Sequence, residues 1–197
     1  MRFTGAMGLP PSHDCFAQLQ TAYSQPQRHY HNTGHINACL EQFEHVRSGA
    51  ESPETIECAI WFHDVIYDPR ANDNELRSAD FATDFLISNG IEQTIVDRVH
   101  SLIMATRHEG SANDDDARIL VDVDLSILGA PEADYDVYEK AIRQEYSHVP
   151  EALYRTGRTK VLAGFLDRER IYHSDYFGQR LEDRARLNLD RAISALR

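Results

Sequence analysis

The amino-acid sequence predicts an all-α protein with a single domain, and three observations lead to that prediction. Apolar residues recur at intervals of three and four along most of the chain, which is the spacing of a helix that buries one face. No segment alternates between apolar and polar residues with the period of a half-buried strand. Residues that start or end helices separate the periodic segments, for example Ser52-Pro53 at one start and Asn89-Gly90 at one end.

The predicted helices follow one another with short connections. They cover approximately residues 12–24, 32–47, 53–68, 74–89, 92–107, 117–128, 131–148, 150–170 and 174–196. The polar and acidic run at 110–116 is predicted to be a loop, and it is too short to link two domains. We therefore expect one domain over residues 1–197, in which the helices of 131–197 pack against a core formed by residues 28–130.

Composition and charge exclude several classes of partner. The 20 Lys and Arg residues against 32 Asp and Glu residues give a formal net charge of −12, whereas a nucleic-acid polymer requires a basic face. No stretch approaches the ~20 apolar residues that a membrane span needs, and no secretory signal is predicted. The three cysteines show no Cys-x-x-Cys spacing and are predicted to be core residues in a reducing, cytoplasmic compartment. The sequence does not indicate an oligomeric state.

The segment at 57–68, with the sequence ECAIWFHDVIYD, contains an unusual polar pair. It is apolar on nearly every side, and such a helix is normally a buried central one. His63 and Asp64 lie in its middle, where an unpaired charge is costly. A metal ion would satisfy both side chains. The alternative is a buried pair whose members satisfy each other or a neighbouring backbone group.

A cluster of histidines precedes this segment. His31 and His35 are four residues apart at the predicted start of the second helix, so they share a face if the helix has already begun there. Either histidine alone could instead be exposed to solvent or cap the helix. Three histidines within seven residues favour a functional role over that reading.

The helix predicted at 117–128 offers a further carboxylate. Asp124 lies four residues after Leu120 and four before Leu128, so it is predicted to face the core. Asp122 lies on the side of the helix that carries other polar residues, and we expect it to be exposed to solvent. Asp124 is therefore the better candidate ligand.

Two imidazoles and two carboxylates can then form a mixed nitrogen and oxygen site from His35, His63, Asp64 and Asp124. Such a set suits Mn, Mg, Fe, Zn, Co or Ni and does not choose among them. A closed structural zinc site would more typically use cysteine, so we expect positions that stay open to water and substrate.

This arrangement resembles the HD superfamily of metal-dependent phosphohydrolases, whose spaced pattern H…HD…D corresponds to His35, His63-Asp64 and Asp124. The motif YHNTGH at 30–35 and the motif DLS at 124–126 are similar to motifs of cyclic-nucleotide phosphodiesterases. FHDVI, which contains the His-Asp pair, is similar to a stretch of the guanosine-tetraphosphate hydrolases.

The similarity extends over about residues 28–190 to one branch of that superfamily, the small predicted metal-dependent HD phosphohydrolases. The residues that carry it are Asn74-Glu75, Ser78-Ala79, Thr106, His108, the segment DVDLSILG and the segment RQEY at 143–146. The chain departs from both better-known groups at Tyr67, where the phosphodiesterases have a further histidine and the tetraphosphate hydrolases have a glutamate. An HD-type helical bundle is the fold that the resemblance implies.

The resemblance also implies roles for the four ligands and for one neighbour. They would bind one divalent metal ion tightly, and Asp64 could bridge to a second, weakly held ion. His31 would protonate the leaving oxygen, while Asp64 or Asp124 would orient the attacking water. The expected reaction is hydrolysis of a phosphomonoester or phosphodiester of a small metabolite, and a nucleotide is the favoured substrate.

Four further residues are candidates for contact with substrate or with the ligands. Glu75 and Ser78 lie one turn apart and could hold ligand histidines, although capping and core packing explain them nearly as well. His108 could contact phosphate, but a cation at a helix C-terminus is favourable in any case. Arg143 could bind an anion or be a solvated surface charge.

Two other functions remain open at this point. A metal- or nucleotide-binding regulatory module would keep the fold without catalysis, although the ligand set and His31 are intact here. A di-iron oxygenase would need additional His or Asp ligands, and this chain supplies few.

Overall fold

A computed structural model describes residues 13–108 and 114–197, together with Gly5 and Met7, and the regular structure of this part of the chain is entirely helical. The α-helices of residues 13–108 and 114–197 are α1 (His13–Tyr23), α2 (Thr33–Val46), α3 (Pro53–Phe62), α4 (Asn74–Ser88), α5 (Gln93–Ala105), α6 (Asp115–Asp124), α7 (Glu132–Glu145), α8 (Glu151–Leu166) and α9 (Asp175–Leu196). Two 3₁₀ helices follow α2 and α6, at Arg47–Gly49 and Leu125–Gly129. The all-α prediction is confirmed.

Side-chain capping residues begin α2, α6 and α9. The side chain of Asn32 accepts a hydrogen bond from the amide of Gly34 at 2.8 Å and so begins α2. Asp114 caps α6 in the same way through the amide of Ala117, and α6 therefore begins two residues before the predicted start. The predicted first start at Ser12 and most of the predicted acidic loop lie outside the described residues.

The core is one cluster of buried apolar side chains to which each of α1 to α9 contributes. At its centre α2, α3, α5 and α6 pack against one another. Both α3 and α6 are buried on most of their circumference. This burial explains why α3 has apolar residues on nearly every side. Helix α9 packs on α8, on α7 and on the second 3₁₀ helix, and it joins the C-terminal helices to this core.

The end of α3 differs from the prediction. The helix was expected to continue to residue 68, but it ends at Phe62 and His63 is its C-cap residue. The carbonyl of Trp61, which the amide of Val65 would need to continue the helix, accepts from the hydroxyl of Tyr23, and the amide of Val65 bonds to the carbonyl of Phe62 instead. The guanidinium of Arg28 then holds the turn by donating hydrogen bonds to the carbonyls of Asp64 and Val65. His63 and Asp64 consequently lie at a helix end and in the turn that follows, instead of in the middle of a helix.

The expected exposure of Asp122 is wrong. Its side chain is fully buried, and its two carboxylate oxygens accept hydrogen bonds from the amides of His173 and Ser174, each at 2.7 Å. The segment before α9 covers the side of α6 that the polar pattern suggested was in water. Asp122 therefore anchors α9 to the core.

Replacement of Asp122 by alanine should lower the free energy of unfolding by about 3 kcal/mol, since it leaves two backbone amides without their acceptor. Urea denaturation would measure the change. Asp183→Ala, at an exposed position of α9, is the matched control and should be nearly neutral. Equal stability of the two variants would contradict the anchoring role of Asp122.

Within the described residues, no helix combines the length and the apolar character that a membrane-spanning segment requires.

Candidate metal centre

The four candidate ligands meet at one point of the core. His35 comes from the first turn of α2, His63 and Asp64 from the end of α3, and Asp124 from the end of α6. The Nε2 atoms of the two imidazoles are 3.1 Å apart. Distances from these nitrogens to the nearest oxygens of Asp64 and Asp124 range from 3.1 to 3.6 Å.

These distances match the edges of a coordination polyhedron. Two donor atoms that are each ~2.1 Å from an ion and subtend ~90–110° lie ~3.0–3.4 Å from each other. Two of the four nitrogen–oxygen distances, each 3.1 Å, fall in this range, and the other two, 3.5 and 3.6 Å, are slightly longer. This spacing suits a single first-row metal ion or magnesium after a small shift of the side chains. The residues fit a metal ion, and the predicted ligand set comes together in space.

Backbone contacts prepare the imidazole of His63 for this role. Its Nδ1 lies 2.9 Å from the carbonyl of Ile60, which can only accept, so Nδ1 carries a proton and Nε2 is the nitrogen that can bind a metal ion. The ring of Tyr30 packs against that of His35 with centroids 4.8 Å apart. Both histidines are almost completely buried and therefore have little freedom to turn away.

The charges of the site require a cation. Burial lowers the pKa of His63, but the carboxylates of Asp64 and Asp124 outweigh burial and raise that pKa well above its usual value. Burial raises the pKa of Asp64 and of Asp124, but the neighbouring imidazoles outweigh it and keep both carboxyls ionised. Two partly buried carboxylates thus attract positive charge, which either protons on the imidazoles or a metal ion can supply.

Metal affinity should therefore rise with pH. A metal ion needs a neutral His63, whereas the two carboxylates raise the pKa of His63 and so retain its proton to higher pH than usual. Proton release on binding should make the apparent Kd fall steadily between about pH 6 and about pH 8. Calorimetric titration with Mn²⁺ in buffers of different ionisation enthalpy measures both the apparent Kd and the number of protons released on binding. A Kd that does not change over this range would contradict the arrangement.

Cys39 lies beside the centre. Its sulfur is 3.7 Å from both ring nitrogens of His35, and with His35 and Asp124 it forms a second group that could hold a metal ion. Burial, together with the charges of Asp124 and Asp64, raises the pKa of the Cys39 thiol well above its usual value. The thiol is a poor ligand in that form, which favours the four nitrogen and oxygen ligands. All three cysteines are buried, as predicted.

His31 is held next to the centre by a residue that the sequence analysis did not select. Its Nδ1 donates to the Oε2 of Glu145 at 2.7 Å, and Tyr67 donates to the same oxygen at 2.7 Å. The other oxygen of Glu145 accepts from the amides of Tyr30 and His31. Tyr67 also stacks on the His31 ring, with centroids 4.2 Å apart.

The charge of Glu145 affects the protonation of His31. Burial lowers the pKa of His31, but the charges of Asp64 and Glu145 outweigh it and raise that pKa. Burial raises the pKa of Glu145, but the hydrogen bond and the charge of His31 lower it to about 2. The pairing therefore favours an imidazolium next to a carboxylate, and Nδ1 is the nitrogen of His31 that faces Glu145.

The other predicted residues have different surroundings. The hydroxyl of Ser78 exchanges hydrogen bonds with the amide and the carbonyl of Ile66 and so supports the turn after Asp64. Glu75 lies half-buried in the first turn of α4, and its role stays a prediction. Arg143 donates hydrogen bonds to backbone carbonyls and to Glu151, at the place where α7 meets α8. Its contact with an anion stays a prediction.

His108 lies next to the carboxylate of Asp124. Its Nε2 is 3.0 Å from Oδ2 of Asp124, the oxygen that does not contact the two ligand histidines. Its φ of 57° is in the left-handed region, which residues other than glycine rarely adopt, and Arg168 donates a hydrogen bond to its carbonyl. His108 therefore orients Asp124, and its predicted contact with phosphate stays a prediction.

Comparisons of the chain with protein-family models, with curated proteins and with solved structures find no match. The fold and the site together define an all-helical protein with a His/Asp cluster that could bind a metal ion.

Proposed function

We propose that this protein is a metal-dependent phosphohydrolase of the HD type that cleaves a phosphomonoester or phosphodiester of a small metabolite, with a nucleotide as the favoured substrate. The observation that carries the proposal is the position of His31, which Glu145 holds beside four converging ligands. A metal site alone would not require a third imidazole, oriented separately from those of His35 and His63. A proton donor next to a metal ion is the combination that ester hydrolysis uses.

The exposure of the side chains indicates that one face of the candidate metal centre is open to solvent. The side chains of His35 and His63 are each 2% exposed, whereas those of Asp64 and Asp124 are 15% and 16% exposed. The His31 side chain is 22% exposed. The imidazole ligands thus form the closed side of the centre, and the carboxylates and His31 form the side that a substrate reaches.

A divalent ion in this site would lower the pKa of bound water from ~15.7 towards ~7 and neutralise charge on phosphoryl oxygens. The accessible carboxylates of Asp64 and Asp124 would orient the attacking water by accepting its hydrogen bonds. His31 would give the proton on Nε2 to the leaving oxygen, because its Nδ1 is occupied by Glu145. Tyr67 and the amide of Tyr30 hold Glu145 in place for that step.

Metal analysis and a phosphate-release assay test the proposal. Protein purified without added metal should contain about one divalent ion per chain. Release should be measured with p-nitrophenyl phosphate, its bis-ester and a panel of nucleotides, in the presence of Mn, Mg, Zn, Co or Ni. Equal inactivity of the wild type and His63→Ala on every substrate would remove the support for an enzyme and favour a regulatory metal-binding module. Two irons per chain with visible absorbance would favour an oxygenase.

A further inference from the structure

A cleft of about 640 Å³ lies against residues 65–70 and the end of α7. None of the four candidate metal ligands lines it. Its wall includes Tyr67 and Glu145, the residues that hold His31, so the cleft adjoins the candidate metal centre without being part of it. Its volume is within the range of sites for small molecules.

The cleft is rich in cationic and hydrogen-bond-donating side chains, although the whole chain has a net charge of −12. Its basic side chains are Arg28, Arg70, Arg77, His29 and His148, and its carboxylates are Asp68 and Glu145. Both carboxylates already accept hydrogen bonds. Glu145 accepts from two amides, His31 and Tyr67, and Asp68 accepts from the amide of Arg70. Three arginines against two carboxylates leave the lining with a positive formal charge, which favours an anion.

Two of the three arginines are available to a ligand. Among the described residues no carboxylate forms an ion pair with the guanidinium of Arg70, which is exposed and lines the cleft. Arg77 is 3.9 Å from Asp73, at the limit of an ion pair, and both side chains are about half exposed, at 50% and 52%. Such an exposed pair is weak. Arg28 is buried, and although carbonyl groups accept its hydrogen bonds, it adds a positive charge to the wall of the cleft.

The loop that carries Arg70 is ordered before any ligand arrives. The side chain of Asn74 accepts from the amide of Asp68 and donates to its carbonyl, each at 2.9 Å. The carbonyl of Asp68 also accepts from the amide of Ala71 at 3.0 Å. An ordered loop reduces the entropy that is lost when Arg70 binds a ligand.

We propose that this cleft is a binding site for a small, multiply charged oxyanion of the phosphate-chain class. The planar forks of Arg70 and Arg77 match phosphoryl oxygens, and a multiply charged anion can balance both guanidinium charges, whereas one monovalent anion balances only one. The site is separate from the metal centre, and its existence does not depend on the proposed hydrolysis.

Calorimetric titration of the full-length chain with tripolyphosphate at low ionic strength tests the site. Arg70→Ala/Arg77→Ala should bind at least about tenfold more weakly than wild type. Lys160→Ala/Arg180→Ala removes the same number of charges from outside the cleft, and this control should bind like wild type. No saturable binding, or an equal loss in both double variants, would overturn the proposal.

Two further titrations identify the ligand class and the location. Tripolyphosphate should bind more tightly than citrate, and tighter citrate binding would overturn the assignment to a phosphate chain. Protein treated with a chelator should bind tripolyphosphate as well as untreated protein does. Loss of binding after that treatment would assign the anion to the metal centre and overturn a separate site. Each result concerns binding alone, so absence of hydrolytic activity would not affect it.

Discussion

Replacement of Asp124 by alanine is expected to abolish stoichiometric metal binding. Asp124 contributes an oxygen 3.1 Å from Nε2 of His35 and 3.5 Å from Nε2 of His63, and it is one of only two carboxylates in the proposed ligand set. Loss of an outer partner of a ligand typically costs 10–100-fold in affinity, so loss of the ligand itself should weaken binding by about 100-fold or more. The measurements are the metal content of purified protein and a titration with Mn²⁺.

The matched control for this experiment is Asp122→Asn. Asp122 lies in the same helix, two residues earlier, and its oxygens bind backbone amides instead of facing the centre. Asparagine keeps the shape and one acceptor, so the variant should be less stable and yet hold metal as well as wild type. Loss of metal from Asp122→Asn with retention in Asp124→Ala would show that the ligand assignment is wrong.

Replacement of His31 by alanine should lower kcat by at least about 100-fold, the lower end of what general acid–base catalysis contributes. The metal content should not change, because Nδ1 of His31 bonds to Glu145 and the ring is not among the four converging ligands. The separation of the two effects distinguishes a proton donor from a ligand. Equal loss of metal and activity would make His31 a ligand.

A Glu145→Gln variant tests whether the charge of Glu145 raises the pKa of His31. The negative charge of Glu145 raises the pKa of His31, so its removal should lower that pKa and move the alkaline limb of the kcat–pH profile to lower pH. Tyr67→Phe keeps the stacked ring and removes only the hydroxyl that donates to Glu145, so it should change kcat much less. An unchanged profile in Glu145→Gln would contradict the pairing.

Most of the helices could be predicted from sequence because their starts and ends are local events. Asn32 and Asp114 cap helices through amides two and three residues away, and such short-range bonds leave a readable pattern. The early end of α3 could not be predicted, because the hydrogen bonds at that end come from residues distant in sequence. Tyr23 donates to the carbonyl of Trp61, 38 residues away, and Arg28 donates to the carbonyl of Asp64, 36 residues away. The long prediction for α3 followed its apolar pattern alone.

Asp122 and Asp124 show the limit of helical periodicity. The pattern correctly placed Asp124 towards the core, since Leu120 and Leu128 are both buried. It failed for Asp122 because α6 is covered on the polar side as well, by a segment about 50 residues later in the chain. A periodic pattern identifies one buried face and cannot show that the opposite face is also buried.

Glu145 was missed for a related reason. Its partners, Tyr30 and His31, precede it by more than 110 residues, so no spacing in the sequence connects them. The available signal was the acidic residue three positions after the buried Ile142, within a segment already noted for its similarity. A buried acid on an apolar helix face indicates a partner without naming it.

The hydrogen bonds of Arg28 bear on whether the candidate metal centre forms before or after a metal ion binds. Its guanidinium joins the carbonyl of His31, just before α2, to those of Asp64 and Val65, just after α3, so the protein's own hydrogen bonds hold the ligands of both helices in register. Because these bonds do not involve a metal ion, the polypeptide would be able to fold before a metal ion binds, unlike a zinc finger, in which the metal drives folding. Which divalent ion the candidate centre would hold then depends on the relative supply of the ions as well as on their affinities for nitrogen and oxygen ligands.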